Sequence, residues 1–140
     1  MKIRAGFVSN SSSSSFVLII KKDAYSEWRS QSDPIVQAAA DAVMESYNIF
    51  GNECMLYEYA SNDYWFDHIS IDEIVKKAKE MAKEQNVGIA TKIAQLNNVR
   101  EEDINDEWLY DNASEILYSI KYSFGDYIKD GKAWSHSIDW

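Results

Sequence analysis

The stretch Gly6-Phe7-Val8-Ser9-Asn10-Ser11-Ser12-Ser13-Ser14-Ser15-Phe16-Val17-Leu18-Ile19-Ile20 brackets a run of serines with apolar residues. Serine and asparagine compete with the backbone for hydrogen bonds and favour turns and caps, whereas residues 16–20 are β-branched and apolar enough to be a buried strand. The reading is an extended segment, a polar loop and a strand, with Phe7 and Phe16 buried. A serine linker is one alternative, but a linker does not run directly into five large apolar residues that need a core. An anion-binding nest is another, but no glycine-rich turn, lysine or helix start follows at phosphate-loop spacing.

Outward from that strand, residues 21–32 read as a short helix or an irregular connection carrying Tyr25 and Trp28. Asp33-Pro34 opens a helix, the acid capping it and the proline supplying a helical φ. Ile35, Val36, Ala39, Ala40, Val43 and Tyr47 recur at spacings of three and four, which predicts an apolar face ending at Gly51. Met55-Leu56-Tyr57-Glu58-Tyr59 reads as a second strand, Ser61-Asn62-Asp63 as a turn, and Tyr64-Trp65-Phe66 as aromatic packing. Ser70 and Glu73 stand at capping-box spacing ahead of a stripe of Ile71, Ile74, Val75, Ala78, Met81 and Ala82. The lysines of that segment, Lys76, Lys77, Lys79 and Lys83, read as a solvated helix face. A further helix covers residues 89–96. The last one is capped by Asn112, with Glu115 at box spacing, carries Ile116, Leu117, Ile120, Phe124, Tyr127 and Ile128 inward, and stops at Asp130-Gly131. Residues 132–140 return as an edge strand or pack Trp134 and Trp140 on the core.

These elements predict an α+β fold: one domain spanning residues 1–140, with three or four helices packed on one face of a small, mainly antiparallel sheet. A three-layer parallel sheet is the alternative.

The first twenty residues carry a resemblance as well. The run from Gly6 to Val17, a few residues after Met1 and beside Arg4, resembles the amino-terminal signature of a group of small bacteriophage and prophage proteins. The resemblance implies a viral origin. It brings no catalytic residues with it.

Composition narrows the function classes. Lysine and arginine number 14 against 23 aspartate and glutamate, a net charge of -9. That balance argues against direct binding to nucleic acid, which depends on basic side chains neutralising phosphates, and favours a basic protein partner. Cys54 is the single cysteine, so neither an intramolecular disulfide nor a cysteine-based zinc cluster is expected, and the cytoplasm, that of the host cell if the protein is viral, is the natural compartment. No segment approaches the apolar length of a membrane span. His68 and His136 lack a second ligand at metal spacing, and no Gly-x-Ser-x-Gly elbow is present. No cofactor is expected.

The candidate site is the acidic run Glu101, Glu102, Asp103, Asp106, Glu107 and Asp111, with Trp108 and Tyr110 inside it. If these carboxylates share one exposed surface they mimic a row of phosphates, and Trp108 or Tyr110 supplies an apolar anchor. The leading expectation is therefore an acidic, phage-type interaction protein that inhibits or redirects a basic host protein such as a nuclease, a defence complex or a transcription component. A small hydrolase or transferase using carboxylates between Asp103 and Asp111, with Tyr64 or His68, is the second expectation. A virion structural or assembly subunit is the third.

Overall fold

The computed structural model describes residues 14–60 and 69–139. Four strands form one antiparallel sheet in the order β2-β3-β1-β4: β1 (Ser14–Lys21), β2 (Glu45–Ile49), β3 (Asn52–Ala60) and β4 (Ala133–Asp139). Six α-helices occur among the described residues: α1 (Lys22–Ser30), α2 (Pro34–Val43), α3 (Ile71–Glu84), α4 (Ile89–Leu96), α5 (Asp106–Ser119) and α6 (Gly125–Lys129). The class is α+β with an antiparallel sheet, as the sequence indicates.

By internal packing the chain divides into two units, each assembled from separated segments. The first comprises residues 14–26, 44–60 and 121–139 and holds the whole sheet. β1 is central, and its alternation places Leu18 and Ile20 on one face and Val17 and Ile19 on the other. Leu18 lies opposite Tyr57 of β3, and both are fully buried, while Phe16 is half-buried with its ring edge-on to Tyr57 at 6.0 Å between centroids. Ser14 and Ser15, the end of the serine run, already pair with β3 or β4 as strand residues. The loop expected across the earlier serines, and Phe7, lie outside the described residues, as do Tyr64, Trp65, Phe66, His68 and Trp140.

The second unit comprises residues 27–43 and 69–120, and α2, α3 and α5 pack mutually within it. α2 is buried almost all round, and its successive Ala38, Ala39 and Ala40 let neighbouring helices approach closely. Its cap is Asp33, whose Oδ1 accepts the backbone N–H groups of Ile35 at 2.9 Å and Val36 at 3.1 Å. The other oxygen, Oδ2, accepts from Asn97 at 2.8 Å, so this buried carboxylate ties the start of α2 to the end of α4. The Arg29 guanidinium forks onto Asp41 at 2.9 and 2.6 Å. α3 begins at Ser70, whose hydroxyl oxygen accepts the Glu73 N–H, and buries Ile74, Val75, Ala78 and Ala82.

Several element boundaries differ from the sequence expectation. The helix opened at Pro34 stops at Val43, and Tyr47 belongs to β2, where it pairs with Cys54. Tyr47 falls at a helical spacing from Val43, but the ladder with β3 decides its state. α5 begins ahead of Asn112, with Asn105 as its cap accepting the Trp108 N–H, and Asn112 is an interior residue donating to the Trp108 carbonyl. After Ser119 the helix tightens into a 3-10 turn at Ile120–Tyr122, and α6 follows from Gly125. Residues 133–139 form an edge strand, and Trp134 is exposed instead of packing on the core.

Candidate acidic face on helix α5

All six acids of the run are exposed, but their surroundings differ. Glu101, Glu102 and Asp103 form a 3-10 turn whose charges are answered locally. Arg100 grips Asp103 through two hydrogen bonds at 3.0 and 3.1 Å and stands 3.6 Å from Glu102, while Glu101 accepts the Thr91 hydroxyl at 2.7 Å. The pKa of Arg100 is raised first by its hydrogen bond to Asp103 and then by that residue's charge. Asp106 opens α5, where a negative charge suits the helix dipole, and it pairs with Lys79 at 2.9 Å. Lys77 of α3 likewise stands 3.6 Å from Asp41, so two of the α3 lysines have carboxylate partners.

Glu107 and Asp111 are different. In a helix starting at Asp106, residues four apart lie one above the other, so Glu107, Asp111 and Glu115 form a row stepping about 6 Å at a time. All three are exposed, and none has an ion pair among the described residues. The opposite side of α5 buries Leu109, Ala113 and Leu117. Tyr110 and Tyr118 border the acidic row, 38% and 55% exposed, whereas Trp108 is half-buried and so less available as an anchor. The Tyr110 pKa is pushed above the ordinary phenol value by hydrogen bonding with Asp72, then by burial and by the charges of Asp72 and Asp106.

Sequence reasoning missed Glu115 and Tyr118 as members of this face. The signal was present in Asn105-Asp106-Glu107, a cap followed by first-turn acids, which sets the helical phase of everything after it.

Three cavities are lined by described residues around Ile19 and Trp134, around Arg29 and Glu84, and around Lys83 and Gly88, and none of the run's carboxylates lines these three. No group of three or more His, Cys, Asp or Glu side chains among those residues is arranged to hold a metal ion. His136 is an exposed residue of β4, its ring parallel to Trp134. No described helix is long and apolar enough to cross a membrane. No protein-family model matches the chain, nor does any curated protein or solved structure.

Proposed function

We propose that the chain is an acidic, phage-type interaction protein that binds a basic, nucleic-acid-handling host protein and inhibits or redirects it. The α5 face stands in for a row of phosphates, which basic clefts are built to grip. The observation that carries this reading is the row Glu107, Asp111 and Glu115, which has no ion pair among the described residues. Like charges at i,i+4 weaken a helix, so the row works against the stability of its own element. The acids of the neighbouring 3-10 turn are held by Arg100 and Thr91. Tyr110 and Tyr118 add the aromatic area that charge alone lacks, in the manner of interface anchors. The net charge of -9 and the amino-terminal resemblance support the choice of a basic host partner.

The test is affinity capture from a bacterial lysate with two baits, the wild-type chain and the Glu107→Lys/Asp111→Lys/Glu115→Lys variant. Basic nucleic-acid-binding proteins should be retained by the wild type alone and be displaced by added duplex DNA. Retention of the same proteins by both baits, or complexes indifferent to DNA, would contradict phosphate mimicry by α5.

A further inference from the structure

A second surface, in the unit that holds the sheet, has a different chemistry. β2 and β3 are joined by the two-residue turn Phe50-Gly51, with Ile49 paired to Asn52 on either side. Both turn residues have positive φ, 50° for Phe50 and 83° for Gly51, and the Asn48 side chain accepts the Gly51 N–H at 2.9 Å. Such turns favour asparagine, aspartate or glycine at the first position, because a large side chain there is strained. Phe50 accepts that strain and is also 99% exposed, so its ring contributes nothing to the packing of its own unit.

Phe50 stands at one end of a groove of about 390 Å³, and Trp134, 54% exposed, stands at the other. The strand register puts Ile19, Cys54, Ile49 and Trp134 on one face of the sheet, and these side chains give the groove its apolar floor. The indole is backed by His136, whose ring lies parallel at 5.9 Å. From β2 to β4 the groove crosses three interstrand steps, about 14 Å. Lys21 and Lys132 line it near the Trp134 end, brought together by the Lys21 N–H to Lys132 carbonyl bond at 3.1 Å. Neither lysine has a carboxylate partner among the described residues, whereas the adjacent Lys22 is paired with Glu53.

We infer that this groove is a binding site for a single-chain amphipathic anion, an acyl carboxylate lying across the strands. Its tail runs over Ile19, Cys54 and Ile49 towards Phe50, and its carboxylate meets Lys21 and Lys132 beside Trp134. Length, apolarity and the position of the charge all fit that shape, and the volume is that of a small-ligand pocket. Two cations at one end of an apolar groove, neither paired with a carboxylate among the described residues, select an anionic head over a neutral or cationic one in a chain this acidic. The inference uses no residue of α5, so it stands or falls separately from the proposed function.

The experiment is titration of the full, isotopically labelled chain with hexanoate, octanoate and decanoate, followed through the backbone amides of Ile19 and Cys54 and the Trp134 indole N–H. Affinity should rise about fourfold per methylene, and octanoate should bind about tenfold more tightly than octanol through two charge-assisted contacts. Lys21→Ala/Lys132→Ala should abolish that preference, bringing octanoate and octanol to equal affinity. Phe50→Asn separates a ligand role from a structural one: it should raise the melting temperature by relieving the turn and yet weaken decanoate about tenfold, as loss of an aromatic anchor does. Equal binding of octanol and octanoate to the wild type, perturbations centred away from the groove, or a Phe50→Asn variant that binds decanoate as the wild type does would each overturn the assignment.

Discussion

Asp111→Lys should make the protein more stable, although it alters the centre of the proposed binding face. Asp111 sits one turn from Glu107 and one turn from Glu115, so it takes part in both like-charge contacts of the row. Each such contact costs roughly 0.2–0.5 kcal/mol, and an unlike pair gains a similar amount. Lysine at this position converts two repulsions into two attractions. The acid precedes the base in the new pair with Glu107, which is the favourable orientation, and follows it in the weaker pair with Glu115, so the sum is about 1 kcal/mol. For a chain of this size that corresponds to a rise of roughly 3–5 °C in melting temperature. Asp111→Asn, which removes repulsion without adding attraction, should give about half. Thermal unfolding followed by circular dichroism at low salt and again near 1 M salt provides the measurement, since screening over about 3 Å at the higher concentration should erase most of the gain. If Asp111→Lys is neutral or destabilising at low salt, or its gain survives high salt, the row is not under electrostatic strain and the main argument for its function is lost.

Asp33→Ala should cost about 2–4 kcal/mol in urea unfolding, because it removes a helix cap and deprives Asn97 of an acceptor in the same step. Leu18→Ala, at the buried centre of β1, should cost about 2–5 kcal/mol by the same assay, with a value under about 1 kcal/mol contradicting its placement opposite Tyr57. Asp72→Asn should bring the Tyr110 titration, read from phenolate absorbance, down towards its ordinary value. The folded-state pKa of Tyr110 is raised, so its contribution to stability is complete below about pH 10 and is lost as pH rises through the folded value.

Local signals in the sequence reached a long way. The apolar run after the serines is a strand because five large side chains need burial on both faces of a sheet, and Asp33-Pro34 and Ser70 start helices for reasons that lie entirely in the first turn. What escaped was decided by partners distant in sequence or by helical phase. Tyr47 satisfies a helical spacing from Val43, yet the ladder with β3 claims it, and the clue was Phe50-Gly51, where glycine takes the second place of a tight hairpin turn. The acidic run was visible as charge, but which acids share a face follows from where α5 begins. A start at Asn105 instead of Asn112 aligns Glu107, Asp111 and Glu115, and turns Trp108 partly inward. The groove beside Trp134 could not be read at all, since its residues come from four strands whose order only the fold defines.

Phosphate mimicry by α5 is tested by the association rate of a captured basic partner, measured on the wild-type chain and on Glu107→Lys/Asp111→Lys/Glu115→Lys at two salt concentrations either side of physiological ionic strength. Charge steering by the α5 row predicts that the wild-type rate falls about tenfold or more as salt rises, and that the reversed variant associates slowly at both concentrations. Association rates that ignore both salt and the reversal would contradict phosphate mimicry and leave Glu107, Asp111 and Glu115 as no more than the solvated side of a helix.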